Sequence, residues 1–247
     1  MKKILTIPLL FLAGMIYAQT IEGAWKMTHK DGKEVTDKEY IKIYQDGYFA
    51  FGAKEIGSNK FLGAGGGEFS INGNTYQETL DFFTFDPEKV GTTTSYNLDQ
   101  KATRIIISAN VDGKTLVEIW EKIGDRKDAL TANWVFTGRK ADGEIRRSTP
   151  GARRTVKILS GGRFQWIAFN SETKEFMGTG GGTYTAENGK YTENITFFSR
   201  DDSRVGASLS FDFEVINGEW HHSGMSSTGN PIYEVWSKYK EAYKANK

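Results

Sequence analysis

The sequence predicts an all-β protein that consists of two antiparallel up-and-down barrels in tandem, each of about eight strands. Three observations support this prediction. Short segments of alternating apolar and polar residues are separated by hairpin turns such as Asp46-Gly47. Glycine is frequent, at 28 residues, and aromatic residues make up 13% of the chain. Finally, the chain repeats itself internally. A β-sandwich is the alternative arrangement of the same strands.

The internal repeat divides the chain into two copies of one unit. Trp25 matches Trp134 at a spacing of 109 residues, and the two GGG runs match at a spacing of 115 residues. This difference places a six-residue insertion between Trp134 and Val156. We assign residues 19–124 and 129–240 to the two units and residues 241–247 to a polar tail. Each unit is long enough to bury its own core, so two touching domains are predicted rather than a solenoid.

Turn signals and alternation place the strands within each unit. Asn72-Gly73 and Asp112-Gly113 divide the first copy, while Asn188-Gly189 and Asn217-Gly218 divide the second. Hairpins at this regular spacing predict a meander, and closing the meander into a barrel removes its exposed edges. The strands predicted in the first copy are 23–29, 40–45, 48–54, 61–71, 75–85, 91–98, 103–109 and 115–122.

The stretches FLGAGGGEFSING, residues 61–73, and FMGTGGGTYTAENG, residues 176–189, each carry a run of three glycines. A phosphate-binding loop would place such glycines before a helix, with a lysine and a hydroxyl residue following. Here the residues that follow alternate like a strand, and no lysine–serine pair is present. Glycines inside a strand are typical of a bulge or a sharp bend, which we predict at both runs.

The first 18 residues predict a secretory signal peptide. A positively charged start, MKK, precedes an apolar segment that ends at Ala18. The chain has no cysteine, so neither a disulfide nor a lipid-modified cysteine is expected. No later segment is apolar enough to predict a membrane span. We therefore expect a soluble periplasmic or secreted protein. The balance of 32 basic and 31 acidic residues disfavours a nucleic-acid binder.

Inward-facing aromatic and acidic residues form the candidate ligand site. Alternation along TYQETLDFF and KYTENITFF places a tyrosine, a glutamate and a phenylalanine on one apolar face in each copy. A buried carboxylate needs a partner. It could anchor a polar group of an apolar or amphipathic ligand, or belong to a structural network in a filled barrel. The candidate ligand-binding residues are Tyr76, Glu78, Phe82, Trp120, Trp166, Tyr191, Glu193, Phe197 and Trp236.

The sequence carries no nucleophile or metal motif, so no catalytic residue, metal or cofactor is predicted. Acid–base chemistry by an inward Tyr/Glu pair is a third possibility. His29, His221 and His222 are expected at the surface, with the last two on opposite faces of a strand.

The inserted segment GRKADGEIRRSTPGARRT is strongly basic. It predicts an exposed hairpin or loop that either contacts an acidic partner or is simply solvated. The candidate partner-contact residues are Arg139, Arg146, Arg147, Arg153 and Arg154.

Several of these motifs resemble the calycin superfamily, and more narrowly the small lipocalin-like domains of exported bacterial proteins. Gly23-Ala24-Trp25 is similar to the lipocalin G-x-W pattern, and each copy adds a GGG strand, a Tyr-x-Glu and a closing Glu-x-Trp. The resemblance implies that Trp25 closes the barrel base beneath a basic residue, for which Lys122 is the candidate. The second copy keeps Trp134 but lacks the glycine.

Overall fold

The structure is a computed structural model that describes residues 20–111, 113–226 and 228–243. The predicted signal peptide, residues 1–18, lies outside the described residues, as do residues 244–247 of the predicted tail. Two closed antiparallel eight-stranded barrels follow each other along the chain, which confirms the predicted fold class.

Barrel 1 is closed by pairing between its first and last strands, β1 and β9. The strands run in simple up-and-down order, and β2 only extends β1 as a short hairpin. A 3-10 helix, Pro87–Lys89, lies between β6 and β7. The strands are β1 Gly23–Lys30, β2 Lys33–Glu34, β3 Lys38–Gln45, β4 Tyr48–Glu55, β5 Phe61–Asn72, β6 Thr75–Phe83, β7 Thr93–Gln100, β8 Arg104–Val111 and β9 Lys114–Gly124.

Barrel 2 repeats this order and is closed by pairing between β10 and β18. A second 3-10 helix, Asp202–Arg204, separates β15 from β16, and a short helix α1, Tyr239–Ala242, follows the last strand. The strands are β10 Ala132–Ala141, β11 Glu144–Arg147, β12 Arg153–Ser160, β13 Arg163–Asn170, β14 Glu175–Glu187, β15 Lys190–Phe198, β16 Ser208–Ile216, β17 Glu219–Met225 and β18 Pro231–Lys238.

Tight hairpins connect the strands at the predicted Asp-Gly and Asn-Gly positions. Asp46 and Gly47 both have positive φ angles, 55° and 74°, and Asn217 and Gly218 have 52° and 84°. Two successive positive φ angles define the type I′ turn, whose twist matches that of the flanking strands. The residue types at these turns therefore set the register of the hairpins.

Each glycine run forms a bulge, as predicted. The register of β5 against β6 shifts between Gly66 and Gly67, and that of β14 against β15 shifts between Gly181 and Gly182. A Cβ atom at Gly67 would overlap the backbone oxygen of Thr79, so only glycine fits there. The bulged strands β6 and β15 also carry Phe82 and Phe197, which pack between the two barrels.

A tryptophan closes one end of each barrel. Trp25 Nε1 donates to Ile21 O at 2.8 Å, and Trp134 Nε1 donates to Leu130 O at the same distance. Lys122 Nζ lies 5.0 Å from the centroid of the Trp25 ring, which is the contact that the resemblance implies. These two hydrogen bonds fix the residues that precede β1 and β10 against the closed end of each barrel.

The two barrels share one hydrophobic core across their interface, in agreement with the expectation that they touch. Ile43 of barrel 1 and Ile158 of barrel 2 belong to the same buried cluster. Tyr239 and Tyr243, at the end of barrel 2, also pack in this cluster. The first part of the predicted polar tail therefore contributes to the core.

The interface has an approximate two-fold symmetry. Phe82 of barrel 1 stacks on Phe176 of barrel 2, with ring centroids 6.4 Å apart, and Phe197 stacks on Phe61 at 6.2 Å. These two contacts are equivalent when the copies are superposed with the repeat spacing of 115 residues. Each barrel thus inserts one phenylalanine of its bulged strand against the other barrel.

A buried ion pair breaks this symmetry. Arg154 of barrel 2 and Asp81 of barrel 1 are 2.7 Å apart, and Tyr48 donates a hydrogen bond to the same carboxylate. The Arg154 side chain is only 1% exposed. The prediction that Arg154 is an exposed partner contact is therefore wrong, because it follows the loop as the first buried side chain of β12.

Asp81→Asn is expected to lower the free energy of unfolding by about 3–5 kcal/mol, because the buried guanidinium loses its compensating charge. Asp212→Asn is the matched control, since Asp212 pairs with Lys190 on the surface and both side chains are more than 60% exposed. The control should cost less than about 1 kcal/mol. Urea denaturation measures both values, and equal losses would contradict a buried role for the Arg154 pair.

Gly67→Ala is expected to cost about 3 kcal/mol, because the added methyl group overlaps the backbone across the bulge. Gly151→Ala is the control, since a Cβ at Gly151 meets no atom within 4 Å. Its effect should stay within about 1 kcal/mol. Thermal unfolding of both variants tests this difference, and a tolerated alanine at Gly67 would refute the bulge as its cause.

Candidate ligand sites in the two barrels

A buried lysine–glutamate pair lies inside barrel 1. Lys42 Nζ, on β3, contacts Glu78 Oε1, on β6, and the Tyr76 hydroxyl donates to the same oxygen. Lys42 and Glu78 are 4% and 8% exposed. The ammonium also lies 4.7 Å from the Phe49 ring centroid and 5.3 Å from that of Trp120. A buried charge pair of this kind needs such close partners.

Barrel 2 contains the same arrangement. Lys157 Nζ, on β12, lies 2.9 Å from Glu193 Oε1, on β15, and the Tyr191 hydroxyl donates to that oxygen at 2.8 Å. The Trp220 and Trp236 rings lie 5.2 and 5.1 Å from the ammonium. The pair therefore belongs to the repeated unit.

The surroundings of Lys42 and Tyr76 keep both side chains protonated. Burial lowers the pKa of Lys42, but attraction to Glu78 and other neighbours outweighs burial and raises that pKa above its ordinary value. Burial also raises the pKa of Tyr76 well above its ordinary value. Neither group titrates near neutral pH, where a general acid or base would need to. Lys42 therefore stays charged at neutral pH, and the Tyr76 hydroxyl stays protonated and acts as a hydrogen-bond donor.

A second carboxylate in each barrel is held by a tryptophan. Trp120 Nε1 donates to Glu118 Oε2, and Trp236 Nε1 donates to Glu234 Oε2, both at 3.1 Å. In barrel 1, Lys30 at the rim lies 3.7 Å from Glu118. Glu118 and Glu234 pair with Lys30 and Arg139 across the closing strands, whereas Lys42 and Lys157 pair with Trp25 and Trp134. The two carboxylates therefore lie farther than the lysines from the ends that the tryptophans close.

Barrel 1 encloses a cavity of about 520 Å³. Its wall includes Phe51, Leu80 and Tyr96, with Lys42 and Glu78 in its polar part. Burial raises the pKa of the Tyr96 hydroxyl to about 12, so this hydroxyl stays protonated and can donate a hydrogen bond.

The mouth of this cavity reaches the surface. Exposed Lys30 and Lys89, half-buried Asp86 and exposed Phe85 border it. The cavity combines apolar walls with a few polar groups, which is the usual composition of a small-molecule site.

The cavity of barrel 2 is smaller, about 210 Å³. The strand register shows which residues fill it. Trp220 and His222 pair with Trp236 and Glu234 in barrel 2, at the positions that Ile105 and Ile107 occupy in barrel 1. Two larger rings thus replace two isoleucines, and the second lumen is more nearly filled.

His222 is buried in this lumen, so its predicted surface position is wrong. Its side chain is 2% exposed, with its ring 4.2 Å from that of Phe211 between centroids. Nδ1 lies 3.4 Å from Glu234 Oε2, but neither Nδ1 nor Nε2 makes a hydrogen bond with a described residue. Burial lowers the pKa of His222, and it is therefore neutral at pH 7. His221, on the opposite face, contacts the Tyr233 hydroxyl at 3.0 Å.

Most of the predicted ligand-site residues lie at the lumen. Trp120 and Glu78 border the cavity of barrel 1. Trp166, Glu193 and Trp236 border that of barrel 2. Tyr76 and Tyr191 lie deeper and hold the glutamates.

Two predicted ligand-site residues face the other way. Phe82 and Phe197 pack at the interface between the barrels, so their assignment to the lumen is wrong. The bulge adds one residue to each strand and reverses the alternation, so Phe83 and Phe198 border the cavities instead.

Two lysines that face the lumen were not predicted from the sequence. Lys42 and Lys157 stand between apolar residues in IKI and VKI, which repeat at the same spacing in both copies. Of the flanking residues, Ile43, Val156 and Ile158 pack in the core between the two barrels. The strand therefore has two buried faces, and the lysine occupies the lumen face. A lysine repeated inside an apolar strand was the available signal.

The basic segment is largely neutralised by its own surroundings. Arg146 contacts Asp142, and Arg147 makes two hydrogen bonds with Glu219, at 2.6 and 2.9 Å. Arg139 and Arg153 are exposed and remain available at the surface. With Arg154 buried, a cluster of five arginines facing one partner does not form.

No group of three potential metal ligands occurs among the described residues. Within the same residues, the structure has no helix whose length and hydropathy would allow it to cross a membrane. No protein-family model matches the chain. A search of curated proteins likewise gives no significant match.

Because His222 is buried, we expect the free energy of unfolding to depend on pH near neutrality. Because its pKa is lowered in the folded state, the unfolded chain binds this proton more readily, and the free energy of unfolding falls as the pH drops below about 6.5. The groups that face it are Glu234, Lys157 and Glu193. His222→Ile, which copies barrel 1, should reduce the loss of stability between pH 7.5 and 5.5.

Urea denaturation at the two pH values measures this loss in the wild type and the variant. His29→Gln is the control, because His29 lies outside the lumen and contacts only the Thr28 hydroxyl at its Nδ1. The same pH-dependent loss in the wild type and His222→Ile would rule out His222 as its source.

Proposed function

We propose that the protein is an exported small-molecule-binding protein that holds an apolar or amphipathic ligand in the cavity of barrel 1. The observation that carries this proposal is the cavity of about 520 Å³, which has aromatic walls and an opening to the surface. Its volume falls within the range of small-molecule sites.

The polar groups of the cavity indicate what kind of ligand would bind there. Lys42 and Glu78 are already paired with each other and would add little affinity for a ligand charge. Tyr96 and Glu118 also border the cavity and offer a donor and an acceptor. Three lysines and three carboxylates line the whole cavity and balance in charge. A largely neutral ligand with one polar end fits this lining.

The location and family belong to the same proposal. The sequence of residues 1–18 supports export to the periplasm or the medium. The up-and-down order, the closing Trp25 and its contact with Lys122 support a calycin-like, lipocalin-like origin of each barrel.

The alternative function is a protein-interaction or envelope-assembly module with filled barrels and a basic contact loop. The cavity of barrel 1 argues against a filled lumen. The pairing of Arg147 with Glu219 and the burial of Arg154 remove two cations from the proposed contact. Ligand binding is therefore the better supported of the two.

A blocked cavity provides the test. Leu116 borders the cavity of barrel 1, and the register places Ile232 at the equivalent position in barrel 2. Leu116→Trp should weaken binding of the neutral dye N-phenyl-1-naphthylamine at least tenfold, because the indole fills the space. Ile232→Trp, the matched control, should leave dye affinity unchanged. Fluorescence titration measures both affinities.

Equal dye binding by the two variants and the wild type would place the dye elsewhere and count against the proposal. Native mass spectrometry of protein purified gently from its own source measures the mass of any natural ligand that stays bound. A small adduct that is lost on denaturation, and is absent from Leu116→Trp, is the expected result. A bound polypeptide instead would favour the interaction module.

A further inference from the structure

We propose that barrel 2 is a separate binding site, selective for a small organic amine in its protonated form. The ammonium group would bind at Glu234 and His222, and the hydrocarbon part would pack against the aromatic wall. This site is independent of the ligand proposed for barrel 1, since each lumen is enclosed by its own eight strands.

The charge of the lining favours a cation. Lys157 is the only basic residue that borders this cavity among the described residues, apart from the neutral His222, whereas Glu193 and Glu234 are both acidic. Lys157 is already paired with Glu193 at 2.9 Å. One negative charge, on Glu234, is left over. Its nearest counterpart in barrel 1, Glu118, has Lys30 beside it.

Arg139 takes the register position of Lys30 in barrel 2, opposite Glu234 on the neighbouring strand. It forms no ion pair with Glu234, and its side chain is exposed. The carboxylate therefore keeps capacity for a ligand. Trp236 and His222 approach only its Oε2 atom, and no described residue donates to Oε1.

His222 adds a second unused acceptor. Neither ring nitrogen makes a hydrogen bond with a described residue, and the tautomer with the proton on Nδ1, the nitrogen 3.4 Å from Glu234, presents Nε2 as an acceptor. This atom is buried and has no partner among the described residues. A buried polar atom without a partner is costly, so a ligand that donates a hydrogen bond would stabilise it. Both free groups thus accept, and an ammonium group donates.

The walls limit the size of the amine. Trp166, Phe198 and Trp236 border a cavity of about 210 Å³, less than half the volume of that in barrel 1. Aromatic rings beside a carboxylate are a favourable setting for an organic cation, because the ring faces are electron-rich. A single-ring amine fits this description better than a long amphipathic molecule.

Benzylamine, benzyl alcohol and benzoate are matched probes of this site, since they share a ring and differ in charge. The indole N–H signals of Trp236 and Trp120 in ¹⁵N NMR spectra report on the two barrels separately, because each donates to the lumen carboxylate of its own barrel. Benzylamine should shift the Trp236 signal saturably, with at least tenfold higher affinity than benzyl alcohol or benzoate.

Glu234→Gln and Ile232→Trp should each weaken benzylamine binding at least fivefold. The matched variants in barrel 1, Glu118→Gln and Leu116→Trp, should leave the Trp236 response unchanged. Ile232→Trp keeps both proposed polar groups, so it provides a test if Glu234→Gln fails to fold.

Equal binding of the three probes, a response confined to Trp120, or no saturable response would overturn the amine site. None of these results affects the dye binding expected for barrel 1, which Leu116→Trp blocks independently.

Discussion

The bulge opposite the glycine run is the constraint on which both the lumen and the interface depend. One extra residue, Asp81 in β6, lets Glu78 face inward and Phe82 face the other barrel, although the two are an even number of positions apart. The bulge is possible because Gly67 leaves room for the opposing backbone. By permitting the bulge in β6, the glycine run decides that Phe83 borders the cavity and that Phe82 reaches the interface.

The architecture could be predicted because its signals are local. Turn residues with a defined backbone preference, such as Asn217-Gly218, fix the hairpins. Asn-Gly pairs of this kind occur in both copies, so each copy supports the strand assignment of the other. The inward glutamates and tryptophans also followed from alternation. Strand β2 was missed, because two residues carry no periodicity.

The remaining errors come from contacts between distant parts of the chain. Phe82 was misplaced because the bulge reverses the alternation along β6. Arg154 was misplaced because the contact between the barrels leaves no periodic pattern in the sequence. His222 was misplaced because a histidine on a strand could face either side until its neighbours were known. Lys42 was missed for a related reason, since both faces of its strand are buried and the apolar pattern concealed the lumen.

Equivalent residues meet across the interface, as Gln45 and Ser160 do at 2.8 Å, which is the geometry of a symmetric homodimer. In a dimer of identical chains, every substitution on that face would occur twice. Joining the copies in one chain removes this restriction, so Arg154 can face Asp81 on one side while the equivalent positions, Glu39 and Thr196, hold a different pair. Covalent linkage thus lets a symmetric contact carry asymmetric chemistry.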